Sequence, residues 1–256
     1  MRMGATLVHL SDAPPYDTPR WAERLAAAGF ESLWTPQVIG RGPLVPDPFV
    51  TLAAAAAVTT GIELGTATVQ VPLHHPVDLA HRVLSLQALC GDRLTLGVSP
   101  GSTATDFTAL DRDHATRFAT LHHNLVRLRV LLAQGHDEQV RLAPSAGVGG
   151  APKLLLGTWG KNVERAAREF DGWLVSGHRV AVDEILAAHD RFRAAGGARA
   201  IVCTIPVLSS RDLDATGESL RRYAAAGFDD AVVIIGPEGP APEDVRALFP
   251  REPSAP

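Results

Sequence analysis

Lysine is nearly missing from this 256-residue chain: of 24 basic residues only Lys153 and Lys161 are lysine, a bias that a GC-rich coding sequence explains. Cysteine is as scarce. Cys90 and Cys203 stand far apart, which excludes a disulfide framework and any metal-ligand spacing and points to a reducing cytoplasm. No long hydrophobic run occurs either, since residues 52–58 form an alanine tract too short and too weakly apolar to span a bilayer. The N-terminus lacks the basic region and apolar stretch of a leader. No strong charge of one sign is present, with a net charge of −4 and a pI near 6.2. We therefore expect a soluble, cytoplasmic protein with neither a membrane nor a nucleic acid as partner. At 46% hydrophobic residues the chain can bury one large core, and we read residues 1–256 as a single domain.

What is present is an alternation. Short β-branched or leucine-rich runs are followed by longer segments with apolar residues at helical spacing, from end to end. Strands are predicted at residues 5–10, 32–36, 63–70, 94–99, 153–158, 172–176, 200–207 and 230–235. Helices are predicted at 18–28, 48–59, 76–90, 116–134, 161–170, 182–195, 213–226 and 242–248. Gly29 and Gly227 fall just past the first and seventh helices, where a left-handed cap favours glycine. Eight strand-helix units in about 250 residues are the size of a closed (β/α)8 barrel. A doubly wound sheet usually carries a glycine fingerprint after its first strand, and "VHLSDAPPYD" has none.

In a barrel the chemistry sits at the carboxyl ends of the strands. Those ends read His9 to Asp12, Thr35-Pro36-Gln37, Ala67 to Gln70, Ser99-Pro100-Gly101-Ser102, Gly157 to Lys161, Ser176 to Arg179, Pro206 to Ser210 and Gly236-Pro237. The carboxylate pair of a glycosidase and the His-x-His of a metal-dependent barrel hydrolase are both missing. Such a rim suits a large flat ligand held by backbone groups and hydroxyls. "LLLGTWGKN", residues 154–162, could hold a phosphate through backbone N–H groups, the Thr158 hydroxyl and the Lys161 ammonium; an ordinary strand-to-helix turn has the same pattern.

Three blocks, "FESLWTPQ", "IELGTATVQVPLHHPVDLAHRVLSLQALCGDRLTLGVSPG" and "LLLGTWGKNVERAAREFDGWL", resemble in order and spacing the luciferase-like flavin-dependent oxidoreductases. This (β/α)8 superfamily uses FMN or the deazaflavin coenzyme F420, and the resemblance covers most of residues 30–174. It implies a third strand ending in a bulge with a non-prolyl cis peptide, here Ala67–Thr68, against which the cofactor ring rests. The Thr66 and Thr68 hydroxyls would lie near the ring, with Val69 packed below. Ser99, Pro100 and Gly101 would line the ring at the fourth strand. The phosphate would lie on Gly157, Thr158, Trp159, Gly160 and Lys161, together with Ser176. His75 resembles the family's "HP" helix entry, a structural position, and His74 is read as rim or solvent. His122 and His123 are read as surface residues.

The chain also departs from the family pattern. Gln37, where many members carry histidine, resembles the F420-dependent branch and would orient cofactor or substrate. Ser102 stands where several deazaflavin members place a glutamate proton donor, and a hydroxyl is a poor acid near neutrality. His9 and Asp12 are the nearest alternatives, although His9 could equally be a core residue. The family's insertion before the fifth strand is reduced to a glycine- and proline-rich link, so either the lid is trimmed or rim loops such as residues 39–48 replace it. The resemblance implies an enzyme transferring a hydride between coenzyme F420 and a small organic substrate, with His9, Gln37 and Ser102 as catalytic candidates. An FMN-dependent monooxygenase and a non-catalytic flavin-binding barrel are the alternatives. A homodimer is expected, with the alanine face of the second helix as a candidate contact, although those alanines could simply pack on their own barrel.

Overall fold

The computed structural model describes residues 1–8, 17–42, 44–142 and 150–250. Among the described residues nine strands, all parallel to their neighbours, follow the chain as β1 (Arg2–Thr6), β2 (Ser32–Thr35), β3 (Glu63–Thr66), β4 (Val69–Gln70), β5 (Leu94–Ser99), β6 (Lys153–Gly157), β7 (Gly172–Ser176), β8 (Arg199–Val207) and β9 (Asp230–Ile235). β1 pairs with both β2 and β9, and β3 pairs with both β2 and β5, so the ring closes. β4 continues the stave begun by β3 and pairs with β5 alone. The nine strands thus make the eight staves of a (β/α)8 barrel.

The helices around it are α1 (Thr18–Ala27), α2 (Pro48–Val58), α3 (Pro76–Cys90), α4 (Ala104–Thr108), α5 (Arg117–Gln134), α6 (Val163–Glu169), α7 (Val182–Ala194), α8 (Leu213–Ala225) and α9 (Pro242–Ala247). Their entries are written locally. Asp47 caps α2 by accepting from the Phe49 and Val50 amides, with Pro48 in the first turn. Gly29 and Gly227 take φ of +90° and +86° beyond α1 and α8, as their positions in the sequence predict. Ala55 and Ala56 of α2 are buried on the barrel while Ala57 is exposed.

Three elements differ from the sequence reading by more than one residue at a boundary. The first strand is Arg2–Thr6 rather than 5–10, because the apolar Leu7 and Val8 masked the pairing role of the small residues before them. Gly4 is one: a Cβ there would stand 2.4 Å from the Ser32 hydroxyl. The third stave, read as one strand over 63–70, is interrupted at Ala67–Thr68, where the family resemblance implied a bulge with a cis peptide. The sixth helix begins at Val163, after a 3₁₀ turn over Gly160–Asn162. In addition, α4 lies in the polar run "TATDFTALDRD", where two buried residues, Asp106 and Phe107, gave no periodic signal.

Inside the staves, Trp34, Leu155, Leu174, Ile201, Cys203 and Val232 pack together, with Ala67 against them. The Trp34 indole donates to the Ser32 hydroxyl at 2.8 Å and lies so close to β3 that a Cβ on Gly65 would stand 2.3 Å from its ring. Below this layer, at the amino ends of the strands, four charges form a floor. Arg199 donates to both Glu63 oxygens at 2.8 and 3.0 Å and to Asp230 at 2.8 Å, and Arg2 reaches Glu63 at 2.7 Å and Asp230 at 2.6 Å. Thr95 adds a hydroxyl to Glu63 at 2.5 Å.

Burial alone would raise the Glu63 pKa, but the Arg199 bonds and charge, with Thr95 and Arg2, outweigh it and hold the carboxyl at about 2 against an ordinary 4.5. A depressed carboxyl stabilises the fold above its unfolded value and loses that contribution as pH falls through its folded value. The wild-type protein should therefore lose on the order of 3 kcal/mol more than Glu63→Gln between pH 4.5 and 2. Urea unfolding of both proteins across that window checks this, and parallel pH curves would contradict it.

Candidate active site

Because every stave is parallel, all the carboxyl ends open at one mouth, and one stave is interrupted there. The Ala67–Thr68 peptide is cis. This segment is stitched on both sides. The Ala67 amide donates to the Thr35 carbonyl at 2.9 Å, and the Gln37 amide donates to the Thr68 carbonyl at 3.2 Å, both at the tip of β2. On the other side the Thr68 hydroxyl donates to the Ser99 hydroxyl of β5 at 2.7 Å, and Ser99 in turn accepts from the Gly101 amide at 3.3 Å. Ala67 and Thr68 are half-buried, and Val69 beyond them is fully buried. A flat, apolar step with polar edges results.

Thr66 has a different place from the one expected. Its hydroxyl donates to the Gly97 carbonyl at 2.8 Å and is fully buried, so it ties β3 to β5 and does not face the mouth. Gln37 is also drawn inward. Its Oε1 accepts from the Gln70 amide at 2.8 Å, its amide group meets His74 Nε2 at 2.8 Å, and its side chain is nearly buried. His74 is therefore half-buried and bonded to Gln37 at the rim, not left in solvent. Burial first, then the charge of Arg82, lowers its pKa below the ordinary 6.5, against the opposing pull of Asp78 and Asp47. His75 does hold the structural position expected of it, accepting from the Val77 amide at 3.3 Å to cap α3.

Gln70 links this pair to a group that the sequence reading missed. Its Nε2 donates to Asp106 at 2.6 Å and to the Gln37 carbonyl at 3.3 Å. Asp106 is fully buried on α4 and receives the Arg41 guanidinium through Nε at 2.8 Å and through Nη2. The loop after β2, one of the rim loops considered as a lid, is thus fastened to α4. Gly101, at φ +82°, makes this possible, since a Cβ there would stand 2.4 Å from Gln70 Oε1. A buried carboxylate on a five-residue helix leaves no periodic trace in a sequence.

Ser102 is exposed and accepts from Arg179 Nη1 at 2.9 Å, so the loops after β5 and β7 meet across the tip of β6. That tip is where Gly157, Thr158, Trp159, Gly160 and Lys161 lie. Gly157 faces Thr68, its absent Cβ leaving 2.6 Å to the Thr68 methyl. Thr158 is held by the Trp173 indole on its carbonyl at 3.0 Å, and Trp159 stacks over Trp173. Among the described residues the hydroxyls of Thr158 and Ser176 have no hydrogen-bond partner, and Lys161 is exposed without an ion pair. His9 and Asp12 lie outside the described residues. His122 is at the surface, hydrogen-bonded to Arg165 at 3.2 Å, with His123 exposed beside it.

The model of the luciferase-like monooxygenases matches residues 3–244. The chain belongs to this family. An uncharacterized protein of Mycobacterium tuberculosis is 28% identical over 218 residues, spanning 80% of this chain and 74% of its own. The 4-hydroxyprotoasukamycin monooxygenase of Streptomyces nodosus is 40% identical over 95 residues, 37% of this chain and 26% of its own. Among solved structures, an F420-dependent secondary alcohol dehydrogenase bound to an F420-acetone adduct superposes with a TM-score of 0.75 over 95% of this chain and 96% of that one, at 12% identity. That likeness is one of fold. The family is one of luciferase-like monooxygenases, and no described helix is long and apolar enough to cross a membrane.

Replacing Gln37 by alanine should destabilise the protein by about 1–3 kcal/mol, the cost of leaving the buried Gln70 amide without an acceptor. It should also let water reach His74 and move its titration midpoint up toward 6.5. In the wild type that midpoint lies below 6.5, so His74 favours the fold at pH above 6.5 and loses that contribution as pH falls. Histidine NMR titration of both proteins measures this, and a wild-type midpoint at or above 6.5 would contradict it.

Proposed function

We propose that the protein transfers a hydride between coenzyme F420 and a small organic substrate, with the deazaflavin ring lying on Ala67 and Thr68 at the interrupted stave. The observation that carries the reading is that break itself: half-buried Ala67 and Thr68, tied to β2 and β5, form a step of small side chains at the strand ends. The residues at the mouth suit such a group. Two strand tips, those of β6 and β7, present Thr158, Lys161 and Ser176 with their donors unmatched by other described groups, as an anion-bearing tail requires. No cluster of metal-binding side chains occurs among the described residues.

Under this reading the chain supplies position and electrostatics. Ala67 admits the ring and Thr68, held by Ser99, fixes its edge. Ser99, Pro100 and Gly101 form the neighbouring wall. The Gly157–Lys161 turn and Ser176 hold the phosphate. When bound, the cofactor supplies the hydride donor or acceptor. Gln37 acts from behind, holding the Gln70 amide and His74 so that the step keeps its shape. Ser102 is the exposed hydroxyl nearest the place of an acid; anchored by Arg179, it would orient substrate or water rather than give up a proton. We further propose a homodimer, for which the exposed Ala57 of α2 is a candidate contact.

A second reading, monooxygenation with FMN, is favoured by the local identity to the Streptomyces monooxygenase. Equilibrium titration of the purified protein with F420 and with FMN separates the two. Tighter binding of F420 is expected, and preference for FMN would replace the first reading by the second. Binding of neither would overturn both. Lys161→Met combined with Thr158→Val should weaken the bound cofactor about tenfold, roughly 1.4 kcal/mol. Unchanged affinity would move the phosphate elsewhere.

A further inference from the structure

The alternation of β8 breaks at one residue. Ile201 pairs with Asp230 and Val202 with Ala231, but the next pairs are Ile205 with Val233 and Pro206 with Ile234. Cys203 and Thr204 therefore stand opposite Val232 alone, which is a β-bulge. Before it the odd-numbered residues Ile201 and Cys203 belong to the inner cluster with Trp34; after it Ile205 and Val207 belong to the outer core beneath the helices. Thr204 is where the phase changes, and it takes φ of +58°. A β-branched residue in the left-handed region is a conformational outlier, and such outliers gather where a side chain is needed in a set place.

The bulge gives Thr204 an unusual neighbour. In an unbroken strand it would face away from Cys203, yet its hydroxyl donates to the Cys203 sulfur at 3.7 Å, and that thiol faces the lumen. This is a weak bond, and no other partner holds the hydroxyl among the described residues. Thr204 is half-buried, one residue beyond the pairing of Cys203 with Ser176, and so stands at the level of the β7 tip on the mouth side of the inner cluster. The surroundings are apolar: burial pushes the Cys203 thiol up to about 11. Such a place favours a neutral hydrogen-bond acceptor over an anion.

We infer that the bulge turns Thr204 into the barrel mouth to donate a hydrogen bond to a carbonyl on the ring of the bound cofactor. The inference rests on the proposed function and adds a contact on the stave that lies across the barrel from Ala67. The strained backbone is then retained for binding, at the expense of stability.

Four variants test it: Thr204→Gly, which relaxes the backbone; Thr204→Val, which keeps the shape and removes the donor; Thr204→Ser, which keeps the donor; and Thr204→Ala, which lacks it. Ligand-free thermal unfolding should place Thr204→Gly about 2 °C above the wild type. Titration with whichever of F420 and FMN the wild type binds should show affinity reduced at least fivefold in Thr204→Val and retained in Thr204→Ser. If the valine variant does not fold, the serine and alanine variants make the same comparison. Equal affinities with and without the hydroxyl overturn the contact, and a glycine variant no more stable than the wild type overturns the strain. A wild type that binds neither cofactor defeats the functional reading first, and this inference with it.

Discussion

One indole sets the bore of this barrel. Trp34 projects inward from β2 into the cluster of Leu155, Leu174, Ile201, Cys203 and Val232, and the neighbouring interior positions on β1 and β3 are Gly4 and Gly65, where a Cβ would stand 3.1 and 2.3 Å from its ring. Interiors packed to crystal-like density leave no slack for a second large group. The layers above and below Trp34 are therefore fixed in height. Beneath it the charges of Arg2, Glu63, Arg199 and Asp230 close the amino ends with matched sign and number, a floor in which each carboxylate meets two guanidinium groups. Above it Ala67 closes the cluster with a single methyl group.

The mouth inherits its shape from that packing. A continuous third stave would carry a paired strand past Trp34 to the rim. Instead β3 stops at Thr66, and the two residues that follow are held by the tips of β2 and β5 before β4 resumes pairing. A polar chain running Arg41, Asp106, Gln70, Gln37, His74 backs the break and buries its own charge in matched bonds. Hydrogen bonds of this kind brace a site, and within this chain Gln70 Oε1 is a buried acceptor without a partner among the described residues. The outcome is a small-residue step on a stiff support, facing hydroxyls and a lysine on the tips of β6 and β7.

Much of this was legible in the sequence, and the reasons differ from place to place. The alternation of strands and helices, and the glycines after α1 and α8, are local signals and appear where they were expected. So does the role of His75, which the family resemblance placed at a helix entry and which caps α3. Gln37 and Thr66 were assigned to the mouth and His74 to the rim or solvent, yet Gln37 and Thr66 turn inward and His74 is half-buried against Gln37. Sequence position marks the rim, but the direction of a side chain depends on partners from distant segments, such as the Gly97 carbonyl for Thr66. Asp106, Arg41 and Thr204 escaped notice for the same reason: a clasp between a loop and a short helix, and a phase change inside a strand, have no period to read.

The central claim is that the interrupted stave is the seat of the cofactor ring. A crystal structure of the protein grown with whichever of F420 and FMN it binds more tightly tests this most directly. The account predicts ring atoms in van der Waals contact, about 3.5–4.0 Å, with Ala67 and Thr68. A ring bound elsewhere in the mouth, leaving Ala67 and Thr68 untouched, would contradict it.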